Sequence, residues 1–259
     1  MSRRRLASDV VVVDVGNSKI EISVVAAGRI ASRVRLPTRG RPARLAAALR
    51  AALAAPDVPG LLPMLVASVV PGAAETITGI ARRCGLRQVH RLSWDDPWPF
   101  AIAVRNPSTL GVDRLANIAG LCALGHQDGI AIDVGTAITI DVLRGGRFEG
   151  GLILPGFDLQ LGALHARTAA LPGLEWSATA PRVGRDTVAA LQAGVLHPTA
   201  AGVAAVAARL GAELPALAAV ILTGGAAFAV APWLAGRARE EPGLMTLGLR
   251  TVAARLGFK

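Results

Sequence analysis

The feature that most constrains the fold is a short pattern that occurs twice, about 119 positions apart. The first copy, VVVVDVGNSKIEISVV, spans residues 10–25, and the second, GIAIDVGTAITIDVL, spans residues 129–143. In each copy an apolar run leads into Asp-Val-Gly, and an alternating apolar and polar run follows, which predicts two strands joined by a tight turn. Because the separation is close to half of the 259 residues, we predict a chain of two related halves.

The turn of the first copy carries groups that suit phosphate binding. Its residues are Asp14, Val15, Gly16, Asn17 and Ser18. We expect Gly16 to let the backbone bend sharply, so that successive N–H groups face an anion. Asp14, at the end of a strand, could reach a hydrated Mg²⁺ that bridges phosphate oxygens. The alternative is an ordinary hairpin in which Asp and Asn serve turn formation alone.

The second copy repeats this chemistry. Superposing the copies aligns four turn positions: Asp14 with Asp133, Val15 with Val134, Gly16 with Gly135, and Asn17 with Thr136. Two facing units of this kind can clamp a polyphosphate from both sides, although a chance duplication is the alternative. The arrangement resembles the actin, hexokinase and heat-shock chaperone ATPase superfamily, in which phosphate loops of two ribonuclease-H-like domains close on ATP. The resemblance implies an α/β fold with two ribonuclease-H-like domains.

The order of the elements gives the domain organisation. Strand groups followed by helices in both halves indicate two α/β domains. We predict the boundary near residue 117, with an N-terminal domain of residues 1–117, a C-terminal domain of residues 118–259 and the cleft between them; the repeat is the only support for this boundary. In the second half we predict a helix over 187–210 that Pro198 kinks or divides, and a helix over 226–239 around Pro232.

The charge balance bears on the class of partner. The chain has 28 basic and 18 acidic residues, a formal net charge of +10, and a basic cluster at Arg3, Arg4 and Arg5. Such a balance can attract nucleic acid or anionic metabolites. Because arginine is spread along the chain, without zinc-finger spacing or a face of interleaved aromatic and basic residues, we favour a general arginine bias and expect no nucleic-acid partner.

Cysteine, histidine and hydropathy patterns favour a cytoplasmic protein. Cys84 and Cys122 lie in apolar surroundings, as reduced, buried thiols do in cytosolic proteins. The four histidines do not pair at metal-ligand spacing, so we expect no zinc site. A charge follows the basic start after four valines, which does not fit a signal peptide. No apolar run of about 18 residues lacks a charge or a breaker, so we expect no membrane span.

A third segment whose residues could take part in a reaction is NPSTLGVDRLAN, at residues 106–117. A loop marked by Pro107 and Gly111 leads to Asp113, which opens an apolar helix. Asp113 could simply cap the helix or complement its dipole, with Arg114 as an ion-pair partner, and the segment by itself favours this interpretation. The functional alternative is a carboxylate that takes a proton from an alcohol, beside a guanidinium group that holds an anionic substrate.

In combination, these motifs resemble the type III pantothenate kinases. The family pattern has six parts in order: D-x-G-N-[TS], N-P-x-x-x-G-x-D-R, D-x-G-T-A-x-T-x-D, G-G-x-I-x-P-G, G-x-x-T and T-G-G. In this chain they correspond to residues 14–18, 106–114, 133–141, 150–156, 184–187 and 223–225. Each motif alone is weak, but six in this order cover nearly the whole chain and are highly specific.

The resemblance implies ATP-dependent phosphorylation of the primary hydroxyl of pantothenate to 4'-phosphopantothenate, the first step of coenzyme A biosynthesis. It implies that Asp113 is the general base. The implied pantothenate contacts are Gly111, Val112, Asp113 and Arg114. Thr187 corresponds to a substrate contact near the subunit interface of family members, which implies a homodimer.

The resemblance also implies the ATP and cation sites. The implied ATP contacts are Asp14, Val15, Gly16, Asn17, Ser18, Lys19 and Thr136. We expect Gly224 and Gly225 to let the backbone approach the adenosine part, unless they form only a strand-to-helix turn. Asp133 corresponds to the ligand of a monovalent cation, K⁺ or NH₄⁺, and Mg²⁺ is expected to arrive with ATP and to be organised by Asp14.

The chain departs from the family pattern in one notable respect. Many members have an aromatic residue near the position of Val104 that packs on the substrate, whereas this chain has no Tyr. We therefore expect that contact to be aliphatic or absent, with an effect on substrate affinity. Two alternative functions are a kinase for another small hydroxylated metabolite and a non-catalytic regulator with the same fold.

Overall fold

The chain divides into two compact units. The computed structural model describes residues 9–55, 58 and 62–258, so the arginine cluster at residues 3–5 lies outside the described residues. The first unit runs to Gly125 and includes the C-terminal segment from Leu244 onward, and the second unit runs from His126 to Gly243. Each unit has its own sheet and its own buried apolar core.

The first unit is built on a mixed sheet with β1 at its centre. Its strands are β1 (Val10–Val15), β2 (Lys19–Ala26), β3 (Arg29–Pro37), β4 (Met64–Ser68) and β5 (Val89–Arg91), in the order β3-β2-β1-β4-β5. The first three form an antiparallel meander, whereas β4 pairs parallel with β1 and β5 parallel with β4. The five valines of β1 are buried because both faces of a central strand are covered. A short strand, β6 (Ala101–Ile102), follows later in this unit.

The helices of the first unit cover this sheet. They are α1 (Pro42–Leu53), α2 (Ala73–Arg83) and α3 (Val112–Ala123). The buried side chains of α1 recur at helical spacing, as Leu45, Leu49 and Ala52 do, so one face of that helix joins the core.

The second unit repeats the strand order of the first. Its strands are β7 (Gly129–Val134), β8 (Ala137–Arg144), β9 (Arg147–Pro155), β10 (Ala219–Thr223) and β11 (Arg239–Glu240), in the order β11-β10-β7-β8-β9. The first three again form an antiparallel meander, and β10 and β11 again add in parallel on the other side. The prediction of two related α/β halves is therefore confirmed.

The helices of the second unit are α4 (Phe157–Arg167), α5 (Thr187–Ala212) and the short α6 (Ala227–Val230). Pro198 does not divide α5, which continues through it. The expected helix over 226–239 is wrong in most of its length: α6 passes into a 3₁₀ turn at Ala231–Leu234, and β11 follows. Pro232 lacks an N–H for helix continuation, and Ala235 has a φ of 50°, which ends the turn.

The last helix, α7 (Leu244–Arg255), lies in the first unit rather than with the second half of the sequence. It packs on α3 at backbone distance, since a Cβ on Gly120 would overlap the carbonyl oxygen of Leu244, and one on Gly248 would overlap that of Ala116. The boundary expected near residue 117 falls inside α3. The first change of unit comes after that helix, between Gly125 and His126.

Helix α5 is long and apolar enough, by length and composition alone, to cross a membrane. This is weak support for a span, because the core helix of a soluble protein meets the same criterion. Several α5 side chains, among them Val195, Leu196 and Val203, are buried in the core of the second unit. The absence of a membrane span remains a prediction.

Candidate active site

The turn between β1 and β2 is held by hydrogen bonds from three segments of the first unit. The N–H of Gly16 donates to the carbonyl of Lys19 over 3.0 Å, which closes the turn. The Val69 N–H, just beyond β4, donates to the carbonyl of Val15 over 3.1 Å. The Thr38 hydroxyl donates to the carbonyl of Gly16 over 2.6 Å. These bonds tie the turn to the start of β2 and to the residues that follow β3 and β4.

Asp14 is half-buried on β1, directly opposite Glu21 on β2. Two carboxylates at directly opposed positions repel each other. Here the charge of Glu21 is offset by Arg33 at 3.3 Å and Arg35 at 2.6 Å, both on β3.

The glycines of the two turns do not adopt the left-handed conformation. Neither Gly16 nor Gly135 has a positive φ, and a Cβ built on Gly16 would lie 3.4 Å from the nearest atom, the Lys19 carbonyl oxygen. A left-handed backbone is therefore not the reason for glycine at position 16. The remaining physical reason for glycine is that no side chain covers the turn where an anion would approach.

The corresponding turn of the second unit is held in the same way. The N–H of Gly135 donates to the carbonyl of Ala137 over 3.1 Å, and Gly156 N–H donates to the carbonyl of Thr136 over 3.0 Å. This turn is one residue shorter than the first, because β8 begins at Ala137, two residues after Gly135. Asp133 and Thr136 are both half-buried here.

Gly224 packs directly against Asp133. Gly224 has a φ of 97°, and a Cβ on it would lie 2.5 Å from Oδ1 of Asp133 and 2.5 Å from the backbone N of Val134. The Thr223–Gly225 turn is therefore more than a plain link from strand to helix, since its backbone forms one wall around the Asp133 carboxylate. Only glycine fits this position, for reasons of both backbone conformation and space.

Asp113 lies in the first turn of α3, after the N-cap residue Gly111. Its Oδ1 accepts a hydrogen bond from the N–H of Arg114 over 2.8 Å. A Cβ on Gly111 would collide with this carboxylate oxygen, so glycine two residues before Asp113 is what lets the carboxylate fold back over the helix start. Asp113 is not the N-cap residue, and the cap interpretation in its simple form does not hold.

Burial raises the pKa of the Asp113 carboxyl above its ordinary value of 3.8, while the hydrogen bond from Arg114 N–H and the Arg114 charge oppose this shift. A carboxylate with a raised pKa is a stronger base than an ordinary aspartate.

Val69 lies between the β1–β2 turn and the start of α3. Its N–H is bonded to Val15, and its Cγ1 lies 3.6 Å from the Cβ position of Gly111. The β1–β2 turn and the start of α3 are thus neighbours at one end of the first unit. The sequence places these two motifs almost a hundred residues apart, and the structure brings them together.

Thr187 lies elsewhere in the second unit, as the first residue of α5. It is exposed, and Oδ1 of the preceding Asp186 caps the helix by accepting from the Ala189 N–H over 2.9 Å. Thr187 lines an apolar cavity of about 840 Å³ between α4 and α5, together with Pro155, Gln160 and Leu191.

The described residues contain no group of three or more His, Cys, Asp or Glu side chains that could hold a metal ion. Mg²⁺ does not need such a group, because it is commonly bound through one or two carboxylates together with phosphates of the substrate. Asp14, a single half-buried carboxylate beside the first turn, fits that mode of binding.

Two residues of the turns were absent from the predicted site. Thr38 has no predicted role, yet it ties the end of β3 to the first turn. Gly156 belongs to a motif for which the sequence indicated no role. In the structure, a Cβ at Gly156 would overlap the carbonyl oxygen of Gly135. The motif G-G-x-I-x-P-G was the available signal for Gly156, whereas nothing near Thr38 indicated its partner.

Two units of equal strand order, each with Asp-Val-Gly at the end of its first strand, define the ribonuclease-H-like ATPase fold. A ROK family glucokinase from Streptomyces griseus, solved with glucose and AMPPNP, shares this fold with a TM-score of 0.50 at 17% identity, over 95% of this chain and 98% of that one. The predicted fold class is thereby confirmed.

Sequence comparison gives the family. The family model for type III pantothenate kinase matches residues 10–209. A type III pantothenate kinase of Nitratidesulfovibrio vulgaris (strain Miyazaki F) is 34% identical over 92% of this chain and 94% of that protein. One from Frankia casuarinae is 32% identical over 93% and 96%. The chain belongs to the type III pantothenate kinase family.

Proposed function

We propose that the protein transfers the γ-phosphoryl group of ATP to the primary hydroxyl of pantothenate, forming 4'-phosphopantothenate in the first step of coenzyme A biosynthesis. The observation that supports this proposal is that, in a member of this family, Val69 contacts both the β1–β2 turn, through its hydrogen bond to Val15, and Gly111 at the start of α3. Phosphoryl transfer depends on alignment and charge neutralisation, and a nearby base and phosphate turn supply both.

Asp113 acts as the general base in this proposal. Its Oδ1 is held by the Arg114 N–H, so we assign Oδ2 to accept the hydroxyl proton as the hydroxyl oxygen attacks the γ-phosphorus. The raised pKa of Asp113 improves its basicity. Gly111, Val112 and Arg114 are the proposed pantothenate contacts, with the Arg114 guanidinium suited to the carboxylate of the substrate.

The ATP contacts are proposed on both turns. On the first they are Asp14, Val15, Gly16, Asn17, Ser18 and Lys19, and on the second unit Thr136, Gly224 and Gly225. The exposed Lys19 can add positive charge near the phosphates, and the uncovered backbone of the turns can donate N–H groups. Mg²⁺ would be held by Asp14 with the phosphates of ATP, where it neutralises their charge.

The Asp14→Ala substitution tests this assignment. We expect the KM for Mg·ATP to rise by about tenfold, equivalent to about 1.4 kcal/mol, because the metal loses one carboxylate ligand. Initial rates are measured while Mg²⁺ is varied at saturating pantothenate. A KM and Mg²⁺ dependence equal to those of the unchanged protein would assign Asp14 to turn formation alone.

A monovalent cation, K⁺ or NH₄⁺, is proposed at Asp133. The Gly224 backbone packs against Oδ1 of this carboxylate, so a weakly hydrated cation there could be surrounded by backbone oxygens as well as by the carboxylate. Such a cation would offset the negative charge that accumulates when ATP binds nearby, without the octahedral shell that Mg²⁺ demands.

We expect turnover to be several-fold higher in potassium or ammonium than in sodium or tetramethylammonium. The measurement compares turnover in the four chlorides at one ionic strength, with the Asp133→Ala variant in parallel. Equal rates in all four salts would remove the cation from the mechanism. A potassium response that persists in Asp133→Ala would place the cation at another site.

A homodimer is proposed through the face formed by α4 and α5. This face exposes large apolar side chains, with Leu159 at 47%, Leu164 at 37% and Val188 at 42% exposure. Leu159 and Leu164 line the cavity between α4 and α5, and Val188 lies beside it in the sequence of α5, so this exposed apolar face marks an interaction surface. Thr187 lies on the same face, so in this proposal it reaches a substrate bound to the partner subunit. We place the enzyme in the cytoplasm, as expected for an enzyme of coenzyme A biosynthesis in bacteria.

The function is tested by ATP-dependent phosphorylation across a panel of small alcohols that includes pantothenate. We expect pantothenate to give the highest kcat/KM and its product to be 4'-phosphopantothenate by mass. A higher kcat/KM with another alcohol would favour a kinase for a different metabolite. ATP binding without phosphorylation of any panel member would favour the non-catalytic regulator.

A further inference from the structure

A second cavity lies in the first unit, and Asp113 is not among the residues that line it. It has a volume of about 480 Å³ and is enclosed by the end of β3, the segment that follows it, and the starts of α1 and α2. This volume falls within the range of small-molecule sites. Its floor is apolar and includes the buried side chains of Ile20, Leu45 and Ile77.

The mouth of this cavity is strongly basic. Arg39, Arg41 and Arg44 line it, all three are exposed, and no acidic residue is among the lining residues. Their guanidinium groups form no ion pair with any of the residues described in the structure, in contrast to Arg33 and Arg35, which are paired with Glu21. Three arginines without counter-ions around an apolar floor match a ligand with an anionic head and an apolar body.

One residue of the cavity wall is hydrogen-bonded to the turn between β1 and β2. Thr38, a lining residue, donates through its hydroxyl to the carbonyl of Gly16 over 2.6 Å and through its N–H to the carbonyl of Ser18 over 3.1 Å. A ligand that orders this wall therefore also orders the turn between β1 and β2. Ordering of one site before a second ligand binds produces positive coupling between the two.

We propose that this cavity binds a soluble amphipathic anion, a medium-length alkyl or acyl chain that ends in a phosphate or carboxylate, and that its binding strengthens ATP binding. The chain lies on the floor at Ile20, Leu45 and Ile77, and the anionic head contacts the three arginines. Binding of the anion to this cavity does not depend on the proposed kinase activity. Only its effect on ATP binding rests on that proposed function.

The probe is octyl phosphate below its micelle-forming concentration, titrated into the full chain by calorimetry. We expect saturable binding of octyl phosphate. Octanol and inorganic phosphate should each bind at least about tenfold more weakly, since octanol lacks the anionic head and inorganic phosphate lacks the alkyl chain. The triple variant Arg39→Gln, Arg41→Gln, Arg44→Gln should lose at least about tenfold in affinity. A matched control, Arg50→Gln, Arg82→Gln, Arg87→Gln, removes the same charge from arginines outside the cavity and should bind normally.

A filled cavity gives an independent check. Ala73→Phe places a ring in the space at the start of α2 and should block octyl phosphate while the arginines remain. Absence of saturable binding, or equal affinities in the two triple variants, would overturn the proposal. Displacement of octyl phosphate by pantothenate or ATP would also overturn it, because the cavity would then be part of the substrate site. Binding only to phosphatidylglycerol vesicles would assign the arginines to a lipid surface instead.

The coupling step is measured separately. Octyl phosphate at saturation should lower the KM for ATP by about fivefold, the lower end of common coupling energies, and should not do so in the arginine triple variant. An unchanged KM with intact binding would overturn the coupling. Because calorimetry does not require turnover, binding can be established even if pantothenate is not phosphorylated.

Discussion

Asp113→Asn is expected to lower kcat/KM for pantothenate by about 10²–10⁴-fold, the usual contribution of a general base. The asparagine side chain has nearly the same shape, and its Oδ1 can still accept the hydrogen bond from Arg114 N–H, so ATP binding should be unchanged. The chain offers a matched control in Asp158→Asn. Asp158 occupies the same position after an N-cap glycine, at the start of α4, but is exposed. That variant should retain full activity.

The pH dependence of these variants separates catalysis from folding. Because burial raises the pKa of Asp113 above 3.8, activity should fall as the pH drops through this raised pKa, and the acid limb should disappear from the residual rate of Asp113→Asn. The ionised form is the one that burial disfavours, so its cost to stability is present at neutral pH and vanishes at low pH. At pH 7 the variant should therefore melt at the same or a higher temperature. Near-normal turnover would remove Asp113 as the base.

Gly224→Ala is expected to cause the largest loss of stability among single substitutions at the site. A left-handed φ of 97° costs an alanine about 1–2 kcal/mol. The added Cβ would also lie 2.5 Å from Oδ1 of Asp133, and relief of such overpacking typically costs about 1–3 kcal/mol more. Urea unfolding measures the sum. Displacement of the Asp133 carboxylate should at the same time weaken the response of turnover to potassium.

Gly125→Ala provides the control for this substitution. Gly125 has a φ of 93°, almost the same as that of Gly224, but a Cβ there would meet nothing within 4 Å. The free energy of unfolding of this variant should fall only by the cost of a left-handed alanine, about 1–2 kcal/mol, and turnover should keep its response to potassium. Equal losses in the two variants would mean that the backbone relaxes around residue 224 and that the contact with Asp133 is not restrictive.

The site also shows why three glycines are needed for different reasons. Gly111 leaves room for the Asp113 carboxylate, Gly224 leaves room for the Asp133 carboxylate, and Gly16 leaves the first turn uncovered without any special φ. Sequence reasoning treats them alike, as flexible turn residues. The difference lies in what stands opposite each Cα, which a linear pattern does not contain.

The sequence by itself determined the elements whose signals are local. Four successive valines can satisfy burial only in a strand with both faces covered, and β1 is that strand. The repeated Asp-Val-Gly turn indicated the duplication, and the order of six motifs indicated the family. Local signals failed at residues 226–239, where an alanine-rich stretch favoured a helix but Arg239 and Glu240 pair with β10. That pairing is a non-local contact, and helix propensity carries no information about it.

Only the tertiary structure decided which distant residues meet. Helix α7 joins the first unit because Gly120 and Gly248 allow two backbones to approach, a fit that is visible only when both helices are placed. Val69 contacts both the β1–β2 turn and Gly111 at the start of α3, and Thr38 ties the basic cavity to the same turn through two hydrogen bonds. Periodicity and composition report how a segment is solvated along its own length. They do not report which partner covers it, because that choice is made by packing of the whole chain.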